Sequence, residues 1–150
     1  MTEYAISFAR RSAVVMMSED DLPTPAEIIA AHDQLEEAYD LKYTGFLKAA
    51  PKSKLRRNVI KPASEYDDPY YVAAVLLFEI QSVHVFNDAN KRTAWTVTME
   101  YLNRNGIDPV FGQDRQTVEK IVRRAGLFST DELAHWLKTG EIDTAKLPES

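Results

Sequence analysis

From Val72 to Val83 the chain reads Val-Ala-Ala-Val-Leu-Leu-Phe-Glu-Ile-Gln-Ser-Val, and on a helix these apolar residues cover nearly every side. A helix apolar all round is stable in water only at the centre of a fold, with other helices packed around it. Asp68-Pro69 opens it, the aspartate as N-cap and the proline at the first helical position. It is expected to end near Val83 or His84. The rest of the chain must then supply amphipathic partners, and four segments do so. Thr24-Pro-Ala-Glu27 is a capping box with proline behind the cap, followed by Ile28, His32, Leu35 and Tyr39 on one helical face. A helix from about Asn90 to Asn103 turns Trp95, Thr98, Tyr101 and Leu102 inward and stops at Asn105-Gly106. Asp114 to Arg124 carries Val118, Ile121 and Val122, with Gly126 as the stop. Ser129-Thr-Asp-Glu132 is a second capping box, ahead of Leu133, Trp136 and Leu137, and Gly140 ends that helix.

The fold class expected is therefore all-α, a helical bundle with at most a short hairpin or strand. The strand candidates are Tyr4, Ile6 and Phe8, which alternate with small or polar residues, and Val110-Phe111. Ser18-Glu-Asp-Asp21 reads as a solvated linker. Lys42 to Glu65, broken by Gly45, Pro51 and Pro62, reads as a long loop with one helical turn or a short hairpin at most. This divides the chain into an N-terminal extension (1–20), one helical domain (21–140) and a loose tail (141–150).

Composition narrows the class of function. The 150 residues contain no cysteine, which excludes disulfides and thiolate metal sites and suits a reducing compartment. No apolar run reaches membrane-spanning length, and Arg10 and Arg11 interrupt the N-terminal stretch where a signal peptide would need an apolar core. A soluble, cytoplasmic protein without a membrane partner is expected. The net charge of −5 argues against nucleic acid as a partner. Lys52, Lys54, Arg56, Arg57 and Lys61 form a local basic stretch; such a run is more often a solvated face than a docking site.

The chemistry is concentrated in His84-Val-Phe-Asn-Asp-Ala-Asn-Lys-Arg92, between the buried helix and the next. The second helix begins near Asn90, so its unbonded amides and its dipole make an anion site facing the loop. Lys91 and Arg92 add positive charge there, and arginine can grip a phosphate through two N–H groups. Asp88 offers an oxygen for Mg²⁺, the usual companion of nucleotide phosphates. His84 brings an imidazole, the side-chain type most often used as a general base. These are the parts that phosphoryl transfer needs. An exposed turn rich in Asn, Asp and Lys has the same composition, with Asp88 as a mere helix cap, so both readings stand on composition alone. His32 and His135 lie on helices and read as packing residues rather than metal ligands; Trp95 and Trp136 read as core.

The string HVFNDANKRTA resembles the Fic/Doc signature, His-x-Phe-x-Asp/Glu-Gly/Ala-Asn-Gly/Lys-Arg, at every defined position. Its Ala-Asn-Lys-Arg form is that of the Doc (death-on-curing) branch. The likeness extends over about residues 20–140 and is strongest from 76 to 111. The resemblance implies ATP and Mg²⁺, with His84, Asp88 and Lys91 catalytic and Asn90, Lys91 and Arg92 on the nucleotide phosphates. Asp88 would meet the metal, and Phe86 would anchor the loop in the core. Lys91 stands where AMP-transferring relatives have glycine, which implies transfer of the γ-phosphate to a Ser/Thr hydroxyl of a protein. The implied target is elongation factor Tu and the implied partner an antitoxin. AMP transfer and a catalytically silent binding module are the alternatives. The segment 42–65 corresponds to the family's target-docking flap but lacks its pattern. The family's internal inhibitory motif is missing: Thr96-Val-Thr-Met-Glu100 is followed by Tyr101 within a helix.

Overall fold

The structure, a computed structural model, describes residues 22–41 and 43–148. The strand expected around Tyr4–Phe8, the Ser18–Asp21 linker and the 1–20 extension lie outside the described residues. The fold is all-α. Helix α1 (Pro25–Tyr39) is followed by α2 (Pro51–Leu55), which continues through a π-helical turn (Arg56–Ile60) into α3 (Lys61–Ala63). Then come α4 (Pro69–Val83), α5 (Asn90–Arg104), α6 (Arg115–Arg123) and α7 (Thr130–Thr139), with 3₁₀ turns at Ala125–Leu127 and Thr144–Lys146.

Helix α4 is the axis around which the others assemble. Val72, Ala73, Ala74, Val75, Leu76, Leu77, Ile80 and Val83 are all buried, and only Phe78 of its large apolar residues reaches the surface. It packs against α5, α7 and the π turn, while α1 lies across α5. Both expected capping boxes form, Thr24 with Glu27 and Ser129 with Glu132, and Asp68 and Asp114 cap α4 and α6.

Three expectations are corrected. Residues 51–63 are helical rather than loop. Leu55, Val59, Ile60 and Ala63 recur at helical spacing and are buried, but Pro62 breaks the pattern for a reader of the sequence. An interior proline removes one N–H and crowds the carbonyl four residues back. The π turn just before Pro62 relieves this: Lys61 N–H bonds to the Arg56 carbonyl, five residues back. Second, Val110-Phe111 is not a strand. Val110 is exposed, whereas Phe111 packs on Trp136 with ring centroids 4.5 Å apart. Third, Gly126 does not end α6; Arg124 caps it and Gly126 lies in the 3₁₀ turn that follows. Beyond α7, Leu147 packs against the core and Lys146 bonds to Glu132 at 2.8 Å.

Gly140 ends α7 at φ +81°, and a Cβ there would run into the Val110 carbonyl. Gly140→Ala should therefore destabilise the domain by about 1–3 kcal/mol, read as a lower urea midpoint with an unchanged slope. Acid should destabilise it too. The Glu27 carboxyl is held below its ordinary pKa by the Thr24 N–H and by Arg104, Asp114 by Thr117, and Glu132 by Lys146 and the Ser129 N–H. A depressed folded pKa contributes stability above the unfolded pKa and loses it as pH falls through the folded one. The thermal midpoint should thus drop below the ordinary carboxylate range, and Glu27→Gln should blunt that drop.

Candidate active site

Helix α4 ends at Val83, and His84 caps it in the left-handed region, φ 50° and ψ 52°. A non-glycine residue held there costs about 1–2 kcal/mol, so something must fix it. The turn of the chain leaves the His84 side chain exposed and sends Val85 and Phe86 inward. Phe86 is fully buried and stacks on the His32 imidazole, centroids 3.8 Å apart and planes within 5°.

Asn90 closes the loop. Its Oδ1 accepts the Phe86 N–H at 3.2 Å and its Nδ2 donates to the Phe86 carbonyl at 2.9 Å. Both ends of this buried carboxamide are thus spent on one residue's backbone. The family resemblance implies a phosphate role for Asn90; its backbone amide, at the head of the next helix, faces that side of the loop while the carboxamide holds Phe86.

Asp88 is partly buried, and its carbonyl accepts from His32 Nε2 at 2.9 Å. A carbonyl only accepts, so this nitrogen carries a proton. His32 is 1% exposed, and its Nδ1 faces Asp33 at 3.9 Å and Glu36 at 4.0 Å. The Asp88 carboxylate takes the Ala89 N–H at 2.7 Å and does not cap the next helix. The N-cap of α5 is Ala89, at φ 62°, and no side chain caps this end. Among the described residues, backbone bonding at this end begins with Thr93 N–H to the Ala89 carbonyl at 2.9 Å. The amides of Asn90, Lys91 and Arg92 are consequently available to an anion. Lys91 and Arg92 are exposed beside them, and the Arg92 guanidinium sits 4.5 Å above the Tyr39 ring.

A second segment, residues 43–48, lies along this loop. Phe46 and Phe86 form an antiparallel bridge. Leu47 N–H donates to the Val85 carbonyl at 2.7 Å and Asn87 N–H to the Gly45 carbonyl at 3.1 Å. Asn87 Nδ2 reaches the Thr44 carbonyl at 2.7 Å, and Gly45 N–H donates to Glu36 at 2.7 Å. The Lys48 ammonium donates to the Val83 carbonyl at 2.6 Å.

The structure therefore gathers His84, Asp88, Lys91 and Arg92 around one turn, with Phe86 and Asn90 beneath. Sequence reasoning passed over His32, Glu36, Asn87 and Lys48. His32 does pack in the core, as its setting on a helical face suggested, but it also holds Asp88. Only the i, i+4 spacing of His32 and Glu36 hinted at a shared face. Among the described residues, His32, Asp33 and Glu36 are the group whose ligand atoms lie close enough to share a metal ion, and Asp88 is outside it. His135 is exposed, 3.8 Å from Glu141, and Trp136 is core. Glu100 lies in the middle of α5. Lys52, Arg56, Arg57 and Lys61 are exposed on the segment 51–63.

An uncapped helix start with two exposed cations, preceded by a turn that carries an exposed histidine and a carboxylate, thus stands at one end of an all-α domain. A sequence model of the Fic/DOC family matches residues 16–102. Protein kinase doc of Escherichia phage P1 is 32% identical over 89 residues, which cover 56% of this chain and 68% of that protein. The chain belongs to the Fic/Doc family, on its Doc branch. The matched region ends inside α5; α6 and α7, included in the resemblance up to about residue 140, fall beyond it.

If the Asn90 carboxamide closes the loop, Asn90→Ala strands a buried N–H and C=O of Phe86. Loss of each should cost about 1–3 kcal/mol. Chemical denaturation should show a lowered midpoint, and exchange of the Phe86 amide should accelerate. An Asn90→Ala protein as stable as wild type would show that the clasp contributes nothing.

Proposed function

We propose that this protein transfers the γ-phosphate of ATP to a Ser or Thr hydroxyl of a protein, as a Doc-like toxin. One observation carries the reading. Of the helices of eight or more residues, α1, α4, α6 and α7 are each capped by a Thr, Asp or Ser side chain, whereas α5, with Lys91 and Arg92 in its first turn, is not. An uncapped helix start with adjacent cations is an anion site. The name of the phage P1 relative, a protein kinase, supports phosphate transfer.

In this reading the amides of Asn90, Lys91 and Arg92, with the Arg92 guanidinium, hold the phosphates. Arg92 would leave the Tyr39 ring to do so. The single Asp88 carboxylate fits Mg²⁺, which is commonly held by one or two carboxylates plus the nucleotide's own phosphates and supplies charge neutralisation there. His84 accepts the proton of the target hydroxyl. The hydroxyl oxygen forms a bond to the γ phosphorus, and the bond from that phosphorus to the β–γ bridging oxygen breaks. ADP leaves. Lys91 fills space beside the amides and adds a charge, which favours one terminal phosphate in the site and turns the γ phosphorus toward His84. The target we propose is elongation factor Tu and the silencing partner a separate antitoxin, both by family likeness, which sets the protein in the cytoplasm. No helix among the described residues is long and apolar enough to cross a membrane.

The test is incubation with elongation factor Tu and ATP labelled at the γ or the α phosphate. Label from γ and none from α is expected. His84→Ala should keep ATP binding and lose at least ~10²-fold in transfer. Label from α with wild-type protein would replace this reading by AMP transfer.

A further inference from the structure

We propose that Lys48 is a positioning residue for His84; this rests on His84 being the base of the reaction proposed above. A lysine on an exposed segment ordinarily points into water. Lys48 instead is partly buried, and its ammonium lies 2.6 Å from the carbonyl of Val83, the last residue of the buried helix α4. Val83 and His84 share a peptide plane, so a hold on that carbonyl fixes the rotation on which the His84 φ of 50° depends. The next residue along is gripped as well. Leu47 N–H donates to the Val85 carbonyl at 2.7 Å, and Lys48 N–H lies 3.4 Å from the same oxygen. Two consecutive residues thus hold the carbonyls on either side of His84.

The charge matters as well as the bond. The carbonyls at a helix C-terminus carry partial negative charge, and a cation among them is favourable. Val83 is buried at the end of such a helix, where a missing partner would leave its carbonyl unsatisfied. Lys48 therefore keeps an otherwise unfavourable left-handed histidine in one orientation and brings a positive charge to the mouth of the site. It need not touch substrate. Its effect on the reaction passes through the His84 imidazole, whose misplacement by a fraction of an ångström weakens proton abstraction.

The experiment compares Lys48→Met, Lys48→Gln and Lys48→Arg with wild type. The activity-independent readouts are the His84 Cε1–H NMR signal and the rate at which diethyl pyrocarbonate modifies His84, with exposed His135 as internal control. Lys48→Met should shift the His84 signal and change its modification rate while leaving His135 unmoved. It should lower kcat for phosphate transfer by roughly tenfold with KM for ATP unchanged, and Lys48→Arg should recover part of both. Where Lys48→Met fails to fold, Lys48→Gln, which can keep the hydrogen bond without the charge, should show a smaller displacement of the same signal. A folded Met or Gln variant with His84 signal and modification rate at wild-type values overturns the proposal, even with a lowered melting point. If wild-type protein transfers no phosphate, the proposed reaction fails, while the imidazole readouts still decide the role of Lys48.

Discussion

The Asn90 carboxamide, bonded at one end to the Phe86 N–H and at the other to its carbonyl, is the constraint from which the site follows. It lets the chain leave a largely buried helix, reverse, and start another within a few residues, without stranding Phe86's backbone in the core. With that backbone satisfied, the Phe86 ring can be buried against His32, and the chain is forced outward again at Asn87 and Asp88. The side chain at the first position of α5 is consumed inside the loop, and the N-cap is an alanine with nothing to give. The amides at the head of α5 stay open for that reason.

Leaving them open has a cost. A good N-cap side chain contributes about 1 kcal/mol over alanine, and four other helices here have one. Backbone strain is distributed in the same way. Among the described residues, the non-glycine residues at positive φ are Asp40, Ala50, His84 and Ala89. The first pair brackets the segment that lies along the loop, and the second pair brackets the loop itself. His84 is held by the bonds on the carbonyls either side of it, and Ala89 by the Asp88 carboxylate on its N–H. The buried mass of α4 and its neighbours supplies the stability against which these local penalties are set.

How far this was legible in the sequence depended on the range of the interaction. The central helix, both capping boxes and the end of α7 at Gly140 rest on local periodicity and cap chemistry, and they could be read directly. So could the concentration of His84, Asp88, Lys91 and Arg92, because the turn joining α4 to α5 is short. The helix over 51–63 was missed although its buried residues keep helical spacing, because Pro62 signals a break and nothing local announces the π turn that absorbs it. Val110 and Phe111 looked like a strand because two adjacent apolar residues say nothing of partner; Phe111 found Trp136 instead. The fate of the Asn90 side chain could not be read, since an asparagine at a helix start suits a ligand and a loop clasp equally. Lys48 and Glu36 act across 35 and 9 residues of sequence, and nothing near them in the chain points to their partners.

One face of α1 ties these pieces together. His32, Glu36 and Tyr39 stand at spacings of four and three, so they project from the same side of the helix. His32 holds the Asp88 carbonyl and supports the Phe86 ring. Glu36 takes the Gly45 amide and so secures the segment that clasps both sides of His84. Tyr39 carries the Arg92 guanidinium over its ring, a contact of the kind worth about 0.5–1 kcal/mol at an exposed position, weak enough to yield to a phosphate. The His84 segment, the Asp88 turn and Arg92 thus take their positions from one helix that contributes none of them. In sequence, His32, Leu35 and Tyr39 had the look of an ordinary core-facing stripe. The spacing was read correctly as a shared face. What that face organises became visible only with the loop and the clasping segment folded against it.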